Sequence, residues 1–369
     1  MTRVGADRVE RLAALVAERE LDQLLVGDLV RPGDSDRSGM ADLRYLTGFS
    51  GTSGLCVVGD GPPLFVTDFR YTERARRELP DAFERVRAKS RLLPAAAERL
   101  SGRVGFDDAN TSVRTLRQLE ELVPEGTELV PAAGLVERLR RSKEPGELAA
   151  IAEAQRLTDE VYGRIVSEGL AGRTEREVAL GAERRMLELG AEGPSFPAIV
   201  AAGDNGALPH AEAGEREIGA GELVVIDMGA IVDGYCSDCT RTFATGELDS
   251  EAREVYELVL ETQRAGIEAV RAGADGKAVD AVARDMITAA GHGDEFGHGL
   301  GHGVGIEVHE APRLAKTSED ELIAGDVVTV EPGVYVAGRF GVRIEDIVSV
   351  EDDGSRNLAT YPKELQVVG

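Results

Sequence analysis

At 369 residues and 42% hydrophobic content, the chain is long enough for two domains with substantial cores. Acidic residues number 67 against 42 basic ones, a formal charge of −25. This excludes the basic footprint of a nucleic-acid binder and disfavours docking on an anionic membrane. Lysine occurs only five times, so arginine carries most of the positive charge; adaptation to high salt and a GC-rich genome are equally good accounts of that bias.

The opening MTRVGADRVERL has no apolar segment of the kind a secretory signal needs. No apolar run approaches the roughly 20 residues of a membrane span, so a soluble, cytoplasmic protein is expected. Cys56, Cys236 and Cys239 are read as reduced thiols, because C-S-D-C lacks the second pair that a structural zinc site requires.

Val9, Leu12, Leu15 and Val16 predict an amphipathic helix over residues 4–20. A short strand follows at 21–26, then a polar loop at 31–39. Strands at 55–58 and 64–67 are joined by Gly-Asp-Gly-Pro-Pro. A helix at 72–79, strands at 83–86 and 103–106, and a helix at 112–122 complete an alternating α/β pattern. The Lys143-Glu144-Pro145-Gly146 stretch reads as a linker, dividing the chain into domains 1–142 and 147–369. Beyond it, a long helix is predicted to about residue 168. Thr174-Glu175-Arg176-Glu177 forms a capping box that opens another. A strand at 196–201 and helices at 250–271 and 277–290 follow.

Three segments carry chemistry. In GELVVIDMGAIVDGYCSDCTRTF, residues 223–231 and 235–243 read as a hairpin turning at Asp233-Gly234. Val232 then pairs with Tyr235, and Asp227 lies opposite Thr240. Asp227 and Asp238 become diagonal neighbours on one face, about 7–8 Å apart at the backbone. A charge in so apolar a run is costly unless paired or metal-bound. In FGHGLGHGVGIEVHE, His298, His302 and His309 are spaced by four and seven within a glycine-alternating loop. Glycine permits close approach of backbone to ligand. His210 stands in an earlier Gly/Asn/Pro-rich loop, read as a pocket wall. Finally, Glu331 closes the apolar strand 326–330, and a further strand pair carries Arg343 and Glu345 on one face with Asp346 on the other. Two aspartates, two glutamates and a histidine make a mixed oxygen/nitrogen set suited to hard or borderline divalent cations. Five ligands fit two ions about 3.5–4 Å apart, an arrangement that activates water for hydrolysis.

Together with FPAIVAAGDNGALPHA, VVTVEPGVYV and GVRIEDIV, these segments resemble, in order, the pita-bread metallopeptidases of the aminopeptidase P and prolidase branch. DLRYLTGFSG and LFVTDFRY resemble the family's creatinase-type N-terminal domain. The resemblance implies an α/β N-terminal domain followed by an α+β pita-bread catalytic domain. It implies Asp227, Asp238, His302, Glu331 and Glu345 as ligands of two metal ions, with Asp238 and Glu345 bridging. Manganese is the leading candidate, beside cobalt, zinc or iron. It places His298 at the substrate amide, His309 near the scissile carbonyl and His210 on the substrate, and has Arg343 orient its acidic neighbours. Glu331 would also take a proton from a bridging water. The implied reaction is hydrolysis of the Xaa-Pro bond of a peptide, carried out by a homodimer. Two departures stand out. Cys239 occupies a position where the family usually has a β-branched residue, and the chain has no tryptophan, although one often reaches neighbouring active sites in aminopeptidase P. Methionine aminopeptidase-like activity and a catalytically silent peptide-binding module are the alternatives.

Overall fold

A computed structural model describes residues 6–30 and 40–369. The polar loop expected at 31–39, and the first two residues of the helix expected at 4–20, lie outside the described residues. The chain divides into two compact units, Met1–Arg140 and Arg141–Gly369.

The first unit begins with α1 (Ala6–Glu18). Its Val9, Leu12, Leu15 and Val16 are all buried, as their spacing requires. Six strands follow: β1 (Gln23–Gly27), β2 (Gly54–Gly59), β3 (Leu64–Thr67), β4 (Glu84–Arg87), β5 (Arg103–Phe106) and β6 (Glu128–Pro131). They form one mixed sheet in the order β4-β3-β2-β1-β5-β6. The pairs β1/β2 and β2/β3 are antiparallel; β1/β5, β3/β4 and β5/β6 are parallel. Two short helices, Ala41–Thr47 and Leu92–Ala97, escape the sequence pattern. Each is about two turns or less, too short for a 3.6-residue period to declare itself. The helix at Val113–Leu122 starts where Ser112 caps it, its side chain accepting from the Thr115 amide.

In the second unit the expected linker is corrected. Pro145 and Gly146 are the first residues of a 24-residue helix, α2 (Pro145–Glu168), with Glu144 and Glu147 forming a capping box. Proline is pre-organised for a helix's first turn, so the Pro-Gly pair opens an element here rather than separating two. Helix α3 (Glu175–Glu188) begins at the Thr174/Glu177 box read from sequence. These helices cover strands β7 (Gly193–Pro194), β8 (Ile199–Ala202), β9 (Leu223–Met228), β10 (Ala230–Val232), β11 (Tyr235–Cys236) and β12 (Cys239–Ala244). Val161, Ile165, Val178 and Ala182 pack there against Val200, Val224, Ile226 and Phe243. Helices α4 (Ser250–Ala269) and α5 (Gly276–Ala289) do the same for β13 (Gly301–Gly303), β14 (Glu310–Leu314), β15 (Val327–Val330), β16 (Gly333–Val336), β17 (Phe340–Arg343), β18 (Asp346–Glu351) and β19 (Gly354–Asn357). Each fully buried aliphatic side chain of these cores contributes about 1.5–3 kcal/mol. Two such cores can therefore carry a destabilising cluster of buried charges between them.

The 221–243 hairpin turns where predicted. Val232 pairs with Tyr235, and Asp233 and Gly234 both take positive φ, 48° and 82°. Neither strand is continuous, however. Gly229 splits the outgoing strand and Ser237-Asp238 the return, so β8, β9 and β12 form one sheet and β7, β10 and β11 another. A Cβ on Gly229 would lie 1.9 Å from the Ser237 carbonyl oxygen, which is why a glycine stands at the break.

Candidate metal centre

On β9, Val224, Ile226 and Met228 face the helices, so the strand's period of two turns Asp227 to the opposite face. Asp227 pairs with Thr240 across β12, as expected, and with Ile199 across β8. Asp238 sits in the break before β12. The histidine segment corrects a second expectation: His302 is no loop residue but the middle of β13, flanked by β14 and β15. Its glycines serve close strand packing. A Cβ on Gly301 would stand 2.0 Å from the Thr329 carbonyl oxygen, and one on Gly303 2.2 Å from that of Ala311. Glu331 follows β15 directly. Arg343 ends β17 and Asp346 opens β18, leaving Glu345 at a corner between them. The predicted alternation survives that corner: Arg343 and Glu345 reach the site while Asp346 points away from it.

Asp227, Asp238, His302, Glu331 and Glu345 all line one cavity of about 830 Å³. Donor atoms of Asp238, His302 and Glu345 lie within 4.8 Å of one another. His302 Nε2 stands 3.6 Å from Asp238 Oδ2 and 3.4 Å from Glu331 Oε1. Its Nδ1 donates to the Gly303 carbonyl at 3.1 Å. Burial, helped by His309, drops the imidazole pKa to about 4. Neutral and protonated on Nδ1, His302 presents an Nε2 lone pair to two carboxylate oxygens. That contact calls for a proton or a metal cation between them.

The carboxylates carry the same signature. Burial first, then Glu345, Asp227 and Glu331, raises Asp238 well above the ordinary range. Burial, Glu331 and Asp227 do the same to Glu345. Glu331 is pushed up to about 8, chiefly by burial. Asp227 Oδ2 accepts from Arg343 Nη2 at 2.6 Å, whereas its buried Oδ1 has no hydrogen-bond partner among the described residues. An orphaned buried oxygen, an outward imidazole lone pair and mutually repelling carboxylates together fit divalent cations.

Two threonines hold the glutamates. Thr240 Oγ1 donates to Glu345 Oε2 at 2.7 Å and accepts from Arg343 Nε at 3.0 Å. Thr329 Oγ1 accepts the His302 amide at 3.1 Å and donates to Glu331 Oε1 at 3.3 Å. Arg343 Nη1 also donates to the Pro209 carbonyl at 3.1 Å and to Tyr335 Oη at 3.0 Å. Tyr335 thus turns its hydroxyl proton to His298 Nε2, 3.0 Å away, while His298 Nδ1 donates to the Gly299 carbonyl at 2.8 Å. Burial and the nearby Arg343 lower the His298 pKa to about 4, so it too is neutral. His309 is exposed at the cavity, its ring 4.3 Å from that of His302, and the exposed His210 lies on the wall.

Sequence reasoning missed Thr240, Thr329, Tyr335 and Arg313. The threonines had a signal, each lying two residues along a strand from a candidate ligand and hence on its face. Arg313 had none, because Pro312 hides β14. Proline is tolerated in an edge strand, and β14 is an edge. Arg313 pairs across the ladder with His302 and lines the cavity.

Residues 149–352 match metallopeptidase family M24, and residues 8–142 match the creatinase/prolidase N-terminal domain. The peptidase YqhT of Bacillus subtilis (strain 168) is 37% identical over 98% of this chain and 100% of its own length. The solved structure of an Xaa-Pro dipeptidase from Bacillus anthracis matches with a TM-score of 0.91 at 36% identity, covering 98% of this chain and 99% of that one. That of an X-Pro aminopeptidase from Thermotoga maritima matches with a TM-score of 0.88 at 33% identity, covering 98% and 100%. With its buried carboxylate–histidine centre and its two matched domains, this chain belongs to metallopeptidase family M24, whose members work with divalent metal ions.

Proposed function

We propose that the protein is an Xaa-Pro peptidase that hydrolyses the bond preceding proline in short peptides. The observation that carries this reading is the convergence of Asp227, Asp238, His302, Glu331 and Glu345 on one cavity, with an imidazole lone pair aimed at carboxylates. Similarity to an Xaa-Pro dipeptidase and an X-Pro aminopeptidase supports the substrate class. Proline lacks an amide proton and fixes its own φ, so the substrate needs a dedicated cavity.

The five residues would hold two divalent ions, manganese first among the candidates, with Asp238 and Glu345 shared between them. Ions bound there supply Lewis acidity to the scissile carbonyl and ease ionisation of the attacking water. The side chains do the rest. Glu331 accepts the water's proton at a carboxylate oxygen. Arg343 fixes Asp227 Oδ2 and leaves Oδ1 free for a cation. His309, exposed at the cavity, meets the developing charge on the carbonyl oxygen. His298, held by Tyr335 and the Gly299 carbonyl, borders the substrate amide, and His210 closes the wall. Arg313, beside His302, is suited to a substrate carboxylate.

The division into a 1–142 domain and a catalytic 147–369 domain belongs to the same reading, as do a cytoplasmic location and a homodimer. No described helix is long and apolar enough to cross a membrane. Assay of Ala-Pro and Ala-Pro-Ala, with and without Mn²⁺ or Co²⁺, tests the proposal. Metal-dependent cleavage of either is expected. Cleavage of the dipeptide alone marks a prolidase, and cleavage of the tripeptide an aminopeptidase P. Inert metal-loaded protein would leave the silent binding module, and release of methionine from Met-Ala peptides alone would leave the methionine aminopeptidase reading.

A further inference from the structure

Beside the carboxylates lies a second buried charged cluster that the proposed mechanism does not use. Asp346, the residue after Glu345, is 0% exposed. Its Oδ1 accepts from Arg241 Nη2 at 2.8 Å. Its Oδ2 accepts from Lys363 Nζ at 2.6 Å, Asn357 Nδ2 at 2.7 Å and Gln263 Nε2 at 3.1 Å. Arg241 is 1% exposed. It donates to the carbonyls of Thr240 at 2.9 Å, Tyr361 at 2.7 Å and Pro362 at 3.2 Å, and to that of Glu345 as well.

These bonds join segments that carry the candidate ligands. Arg241 lies three residues after Asp238 and one after Thr240, the residue whose hydroxyl holds the Glu345 carboxylate. The Glu345 amide donates to the Thr240 carbonyl at 3.1 Å. Asp346 pairs in the ladder with Val330, immediately before Glu331. The C-terminal segment enters through Lys363, whose Nζ also donates to Gln263 Oε1 at 2.9 Å. A buried ion cluster rarely adds stability over an apolar core of the same volume; fixing registry is its best-attested use. Here the registry at stake is the spacing of Glu345 from Asp238 and Glu331.

We propose that Arg241, Asp346 and Lys363 are positioning residues that set the spacing of the acidic ligands, and hence the centre's affinity for divalent cations, so that the C-terminal segment is part of the metal site's frame. This rests on the reading of the five cavity residues as ligands. Lys363→Met is the direct test, because it removes a partly exposed ammonium and leaves Asp346 paired with Arg241. Metal-stripped wild type, Lys363→Met and Lys363→Arg would be titrated with Mn²⁺ by calorimetry, with thermal unfolding measured in parallel. The expected result is cooperative folding of all three, Mn²⁺ affinity weakened about tenfold or more in Lys363→Met, and recovery of most of it in Lys363→Arg. A folded Lys363→Met with wild-type affinity would overturn the proposal and leave the cluster a structural role, which moves the melting temperature alone. Should Lys363→Met fail to fold, Asn357→Leu deletes one bond to Asp346 without changing charge, and unaltered Mn²⁺ affinity there would overturn the proposal equally. Wild type that binds neither Mn²⁺ nor Co²⁺ would instead overturn the ligand reading beneath it.

Discussion

Glu345 and Asp346 are chain neighbours, both buried, and their surroundings are opposite. Glu345 faces Asp238, Asp227 and Glu331, and burial together with Glu331 and Asp227 raises its pKa well above the ordinary range. Asp346 is buried as deeply, which by itself opposes its charge, yet Arg241 and Lys363 outweigh that and hold it below the ordinary value. One carboxylate is met by four protein donors, two of them cationic; the other belongs to a set that the protein leaves short of positive charge. Burial alone is therefore no sign of function. What separates a functional buried acid from a structural one is whether the fold supplies its counter-charge.

The comparison can be broken most forcefully at the centre itself. His302→Ala removes the sole imidazole of the donor set. Metal-dependent cleavage of Ala-Pro should fall by at least about 100-fold, with circular dichroism unchanged; retained activity would detach His302 from the site. On the other side, Asp346→Asn strips the anion from between the buried Arg241 and the partly exposed Lys363. A loss of about 3–5 kcal/mol in denaturant unfolding is expected, and a loss under 1 kcal/mol would show that the cluster is solvated.

Sharper still is the pH dependence of the metal-stripped protein. An acid whose folded pKa is raised binds its proton more tightly when folded, so it costs stability as its charge forms. Glu331 rises from an ordinary 4.5 to about 8. Unfolding free energy should therefore decline as pH climbs through that interval, and added Mn²⁺ should flatten the decline. A profile indifferent to metal would mean that the carboxylates do not share a cation. The smallest effect sits in the first unit. The Arg70 side chain holds Asp68 down to about 2 from 3.8. Here the sign is reversed: the stabilisation is complete above 3.8 and lost as pH falls through 2. Asp68→Asn should erase an acid-limb contribution of no more than about 1 kcal/mol for so solvent-near a pair.

How far the chain announces this arrangement depends on the range of the interaction. Local rules read the Thr174 capping box, the Asp233-Gly234 turn and the Asp227–Thr240 register correctly, because each is decided by residues a few positions apart. The acids and the imidazole that line the cavity were legible too, since a charge at the end of an apolar strand is conspicuous. The Lys143-to-Gly146 stretch misled because Pro-Gly marks a helix start as readily as a linker, and only the Glu144/Glu147 capping box distinguishes them. His302 reads as a loop residue because alternating glycines look like flexibility; Gly301 and Gly303 instead admit neighbouring backbone at distances no Cβ would allow.

The sequence by itself determined most of the longer elements, the turn that brings Asp227 opposite Thr240, and the side-chain chemistry of the acids and the imidazole, because propensity, periodicity and side-chain identity are local. Only the tertiary structure decided which carboxylates are answered and which are left for a cation. Arg241, Lys363 and Thr329 reach partners on strands and segments far apart in the chain. Electrostatic balance is a property of who faces whom in space, and no spacing along one strand encodes it.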